Sequence, residues 1–143
     1  MEFYTFINKE FLEVNESTKE INIISFDSGG IVSLTSKITY QDQLEFDYIL
    51  GLLKRFDSEI KDFVLKNEYN PLYSRGLTEP SKYKNEKDKV IEISSMGLDI
   101  VNKLTEAVDK NRATIKFIDG DPDYFFKRWS FRLLSIKKIF ETL

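Results

Sequence analysis

Between Thr39 and Asn67 the residues Phe46, Ile49, Leu53, Phe56, Ile60 and Phe63 recur at alternating steps of three and four. A helix turns once in roughly 3.6 residues, so this spacing draws them onto one stripe. Glu45, Asp47, Lys54, Arg55, Asp57, Glu59, Lys61 and Asp62 fall mostly off that stripe and form a solvated side. The opposite-charge pairs Arg55/Glu59, Asp57/Lys61 and Asp62/Lys66, each four apart, add roughly 0.2–0.5 kcal/mol apiece. Near the C-terminus Phe126, Trp129, Leu133, Ile136, Phe140 and Leu143 repeat the same alternation. Two long amphipathic helices must each bury a stripe. The simplest expectation is that they pack on each other or on the segment between them, which makes the first helix scaffold rather than binding surface.

The chain has 143 residues, 41% of them hydrophobic, which suits one domain with a sizeable core. Twelve phenylalanines point to a core built on Phe. There is no cysteine, which removes disulfides, thiolate nucleophiles and Cys-ligated zinc. There is no histidine, which removes Ser-His-Asp and Cys-His constellations, imidazole acid/base chemistry and His-ligated metals. Catalysis would have to rest on carboxylates, Lys or Tyr, so a non-enzymatic role with no cofactor is expected. The formal net charge of −3 gives no indication of a globally basic nucleic-acid binder. No run approaches the roughly 20 apolar residues of a membrane span. The first residues lack the basic and apolar regions of a signal peptide, so the expected location is the cytoplasm. Abundant Lys, Ile, Asn and Phe fit an AT-rich, bacterial or phage genome.

Taken in order, Phe3 to Val14 is compatible with a short helix or an irregular strand. Asn15–Lys19 is a polar turn. Ile21–Phe26 and Ile31–Thr35 are β-branched runs joined by Asp27-Ser28-Gly29-Gly30, the pattern of a hairpin. The glycine pair lacks the Lys-Ser/Thr of a phosphate-binding loop. Thr39, with Asp42 three residues on, predicts the cap of the long helix. Gly51 inside it suggests close approach of another backbone, and Asn70-Pro71 should end it. Residues 69–89 read as a long loop or extended hairpin. Val90–Ser94 reads as a strand, Met96–Asn111 as a helix capped by Ser95, and Thr114–Ile118 as a strand. Asp121-Pro122 predicts the start of the last helix. The expected fold class is α+β in a single domain, 1–143. It comprises an N-terminal β-hairpin, a long central amphipathic helix, two further helices including a C-terminal amphipathic one, and short strands near 74–94 and 114–118.

Candidate binding residues fall into three groups. Lys127, Arg128, Arg132, Lys137 and Lys138 give the last helix a basic side, against one acid, Glu141. Such a face suits phosphates or an acidic partner, although basic residues late in a helix also complement its dipole. Tyr69, Tyr73 and Tyr83 fall in the loop, and Tyr is enriched at interfaces. Asp119, Asp121 and Asp123 have the alternate spacing of the first calcium-loop ligands. Tyr124 and Ser130 stand where an EF-hand needs Gly and Glu, so a dipole-complementing helix start is the plainer account.

Arg75-Gly76-Leu77-Thr78-Glu79, a charged stretch ending in Lys87-Asp88-Lys89, and Val90 through Leu98 together resemble the wing of MarR-type winged-helix regulators. The resemblance covers about a quarter of the chain. It implies a charged wing tip in which Lys82, Lys84, Lys87 and Lys89 contact phosphates. The family's compact recognition helix would precede the wing, where Asn70-Pro71 interrupts this chain.

The leading expectation is a small acidic protein that works by binding another protein, of the immunity, inhibitor or small-subunit kind. A winged-helix nucleic-acid binder using residues 74–95 is the alternative. A carboxylate- and metal-dependent enzyme comes third.

Overall fold

The computed structural model describes residues 2–6, 10–26, 32–67, 80–117 and 122–143. Its strands are β1 (Glu2–Thr5), β2 (Glu10–Asn15), β3 (Glu20–Phe26), β4 (Val32–Tyr40) and β5 (Ala113–Phe117). Its helices are α1 (Gln43–Asn67), α2 (Lys87–Asp109) and α3 (Pro122–Glu141), with a 3₁₀ segment, Pro80–Glu86, leading into α2. The strands form one antiparallel sheet in the order β1-β2-β3-β4-β5. The architecture is α+β, with the N-terminal hairpin and the C-terminal helix expected from the sequence.

Alternation along the strands sends one set of side chains to the helices. Leu12 and Val14 of β2, Ile21 and Ile23 of β3, Ile38 and Tyr40 of β4 and Ala113 of β5 all lie in the core. The other face carries polar pairs. Asn22 Nδ2 donates to Glu13 Oε1 at 2.9 Å, and Lys37 meets Glu20 at 2.9 Å. The β3–β4 register slips between Ile23 and Ile24, so that Thr35 is the extra residue on β4.

The two amphipathic stripes meet in this core. Phe46, Ile49, Leu53, Phe56, Ile60 and Phe63 of α1 are buried, as are Phe126, Trp129, Leu133, Ile136 and Phe140 of α3. Phe6 joins them, with its ring 4.9 Å from Trp129 edge-on and 5.3 Å from Phe56. A fully buried side chain of this kind contributes about 1.5–3 kcal/mol.

Several sequence expectations change. Of the two alternatives for Phe3–Val14, helix or irregular strand, the strand is the one found, in β1 and β2. Thr39 and Tyr40 extend β4, so the cap of α1 is Asp42. Its Oδ1 accepts the backbone N–H groups of Leu44 at 2.8 Å and Glu45 at 3.1 Å. Val90–Ser94 is helix, not strand, and α2 begins at Lys87. Val90, Ile93, Gly97, Ile100, Val101 and Leu104 supply a buried face at helical spacing. A short β-branched run reads the same in a strand or a buried helix turn, and here the longer periodicity prevailed. Residues 74–79 and the Asp27–Gly30 turn lie outside the described residues.

The close approach falls at Gly97, not Gly51. Among the described residues, a Cβ on Gly51 would meet nothing within 4 Å. A Cβ on Gly97 would lie 2.9 Å from Leu133 Cδ2 and 3.1 Å from Phe56 Cε2. Glycine here lets α1, α2 and α3 converge.

Candidate functional site

Helix α3 has two working sides. Its inner stripe belongs to the core. Its outer stripe is Lys127, Phe131, Leu134 and Lys138, spaced four, three and four, and all exposed. Phe131 is 74% exposed and Leu134 44%, which makes them two of the few large apolar side chains on the described surface. A lone exposed apolar residue is ordinary, but two on adjacent turns between two lysines form a patch.

The basic residues of α3 therefore divide. Lys127 and Lys138 flank the apolar pair, whereas Lys137 and Arg132 are half-buried beside it. Arg128 turns inward, and its guanidinium binds Glu10 Oε1 on β2. Trp129 Nε1 donates to the other oxygen, Oε2, at 2.5 Å. Glu10 is 3% exposed, so this carboxylate is buried between a cation and an indole N–H. A buried charge requires such partners. Burial lowers the Arg128 guanidinium from its ordinary pKa. Arg128 thus ties α3 to the sheet, with its side chain 35% exposed.

Tyr83, the described member of the tyrosine group, packs inward. It is 6% exposed, with its ring 5.8 Å from Phe63 and 6.4 Å from Phe140. Tyr69, Tyr73, Asp119 and Asp121 lie outside the described residues, and Asp123 sits in the first turn of α3. Among the described residues no group of three carboxylates is placed to hold a metal ion. No described helix is long and apolar enough to cross a membrane.

The lysines assigned to a wing sit on helical backbone. Lys82 and Lys84 belong to the 3₁₀ segment, and Lys84 is exposed. Lys87 Nζ donates to the backbone carbonyl of Leu143 at 3.2 Å. Lys89 pairs with Glu59 of α1 and lies 3.7 Å from Glu92. Those carboxylates raise its pKa, with the Glu59 hydrogen bond foremost. A two-stranded wing does not form over residues 80–95, and two of its four lysines brace the helices instead.

Sequence reasoning passed over Phe131 and Leu134 because it followed only the buried stripe. The available signal was their position: each is apolar yet lies off the stripe, among the basic residues already singled out. No family model, characterised protein or solved structure matches the chain.

Proposed function

We propose that this is a non-catalytic binding protein, acting in the cytoplasm, whose partner is another protein docked on the outer stripe of α3. The reading is carried by the Lys127–Phe131–Leu134–Lys138 stripe, an exposed apolar pair bracketed by cations. Helical anchors at four-three-four spacing suit insertion into an apolar groove, and the lysines favour acidic groups on its rim. An inhibitor of the immunity type or a small subunit of a bacterial or phage complex fits this arrangement.

The test is a paired affinity purification from the native host, with wild type against a Phe131→Asp/Leu134→Asp double variant. The reading expects at least one protein to be retained by wild type and lost from the variant, since anchor residues dominate interface energetics. Identical retrieval by both forms overturns the assignment of this face.

A further inference from the structure

A recess of about 220 Å³ opens between the first turns of α1, the last turns of α2 and the end of β4. Tyr40, Ile49 and Ala107 line it and are nearly fully buried, whereas Leu44 and Tyr48 line it at 79% and 58% exposure. Gly51 continues the exposed stripe of Leu44 and Tyr48 along α1. Glycine weakens a helix interior, and among the described residues nothing lies within 4 Å of where its Cβ would stand.

The charges around the recess are not equally engaged. Arg112 binds Glu45 at 2.7 Å, and Lys110 binds Glu106 at 3.0 Å. Lys103 holds its ammonium 5.8 Å from the centre of the Tyr48 ring and makes no ion pair among the described residues. That contact orients a cation at the mouth of an apolar recess, where its charge also acts on Glu106, already bonded to Lys110.

We infer that the recess is an anchor site for one large apolar side chain of a partner protein, with a neighbouring carboxylate of that partner taken by Lys103. Size selects the occupant. The volume lies below the roughly 300–1,000 Å³ of small-molecule pockets and suits a single aromatic side chain. Charge selects the flank, because among the described residues Lys103 makes no salt bridge, whereas Glu45 and Glu106 are already bonded to Arg112 and Lys110. The bare backbone at Gly51 lets the partner chain lie close against α1. The inference rests on the reading of this chain as a protein-binding protein, but it concerns a different face from the α3 stripe.

The test uses the purified full chain and two capped dipeptides, acetyl-Phe-Glu-amide and acetyl-Phe-Lys-amide, followed by amide chemical shifts. The acidic peptide should bind with a Kd on the order of millimolar, as expected for so small a ligand. Its shifts should centre on Leu44, Tyr48 and Ala107, and the basic peptide should bind several-fold more weakly. Tyr48→Ala should weaken binding about tenfold, and Lys103→Gln should abolish the preference for the acidic peptide. Both side chains are exposed, so the fold should survive. Absent or scattered shifts, or binding indifferent to Tyr48→Ala, would overturn the site. Equal binding of the two peptides would overturn the carboxylate assignment. Any of these failures leaves the α3 reading standing, since that is judged by Phe131 and Leu134 variants.

Discussion

Two kinds of residue show how strongly context decides the effect of a substitution. Glu10 is acidic and nearly inaccessible, with Arg128 and Trp129 bound to its oxygens. Glu10→Ala takes the Glu10 carboxylate away from an indole N–H and a part-buried guanidinium. The expected loss is about 2–3 kcal/mol, reduced from that of a wholly buried pair because the Arg128 side chain is 35% exposed. Urea denaturation of the variant measures it, and a loss under about 0.5 kcal/mol would place Glu10 among ordinary surface acids. The glycines offer the matched contrast. Gly51→Ala should stabilise the chain by about 1 kcal/mol, because helix propensity improves and the new methyl meets none of the described residues. Gly97→Leu should destabilise it by about 1–3 kcal/mol, because Leu133 and Phe56 already fill that space. Thermal denaturation should therefore move the two midpoints in opposite directions.

At the scale of elements, the β3–β4 pair is tied on its outer face by Glu20 and Lys37. The hydrogen bond from Lys37, with a second from Thr18, lowers the Glu20 pKa from the ordinary glutamate value. A lowered folded-state pKa gives stability that is fully present above the unfolded value and disappears as pH falls through the folded one. Because both side chains keep part of their surface in solvent, 37% for Lys37 and 19% for Glu20, the pair should contribute no more than about 1 kcal/mol. The stability difference between wild type and Glu20→Gln should shrink from about pH 6 to about pH 3. A difference that grows on acidification would contradict this sign. Helix α3 supplies a second prediction at the same scale, since its two sides serve different ends. The Phe131→Asp/Leu134→Asp pair should change folding stability by no more than about 0.5 kcal/mol. Trp129→Ala, on the buried side, should cost about 3–5 kcal/mol. Comparable losses from both would mean that Phe131 and Leu134 belong to the fold rather than to its surface.

Across the whole molecule, sheet and helices share one buried cluster running from Phe6 through Phe56 and Trp129 to Phe140. Trp129 is the sole tryptophan and is 1% exposed, so its fluorescence reports on the centre of that cluster. Its unfolding transition in urea should coincide with loss of far-ultraviolet circular dichroism, as for one cooperative unit. Two separated midpoints would divide the chain into independent parts. The long-range pairing behind this expectation joins β4 to β5, from Ser36 opposite Phe117 to Tyr40 opposite Ala113. Helices α1 and α2 lie in the connection between those strands.

The sequence by itself determined the two amphipathic helices, the β3–β4 pairing and the α+β class. Each rests on a local period or a turn signal that neighbouring residues carry together. It also set the residue types available, with neither His nor Cys among them. Tertiary structure decided the rest. Val90–Ser94 became helix because its apolar residues continue the periodicity of Gly97, Ile100 and Leu104 against the core. Arg128 and Lys127 are neighbours of like charge, yet one ends beside a buried carboxylate from β2 and the other in solvent. Gly51 and Gly97 look alike as glycines in helices, and only the arrival of Leu133 and Phe56 separates them. Periodicity assigns a residue to a side of its own helix. What meets that side depends on contacts with segments far along the chain, and no local pattern encodes those.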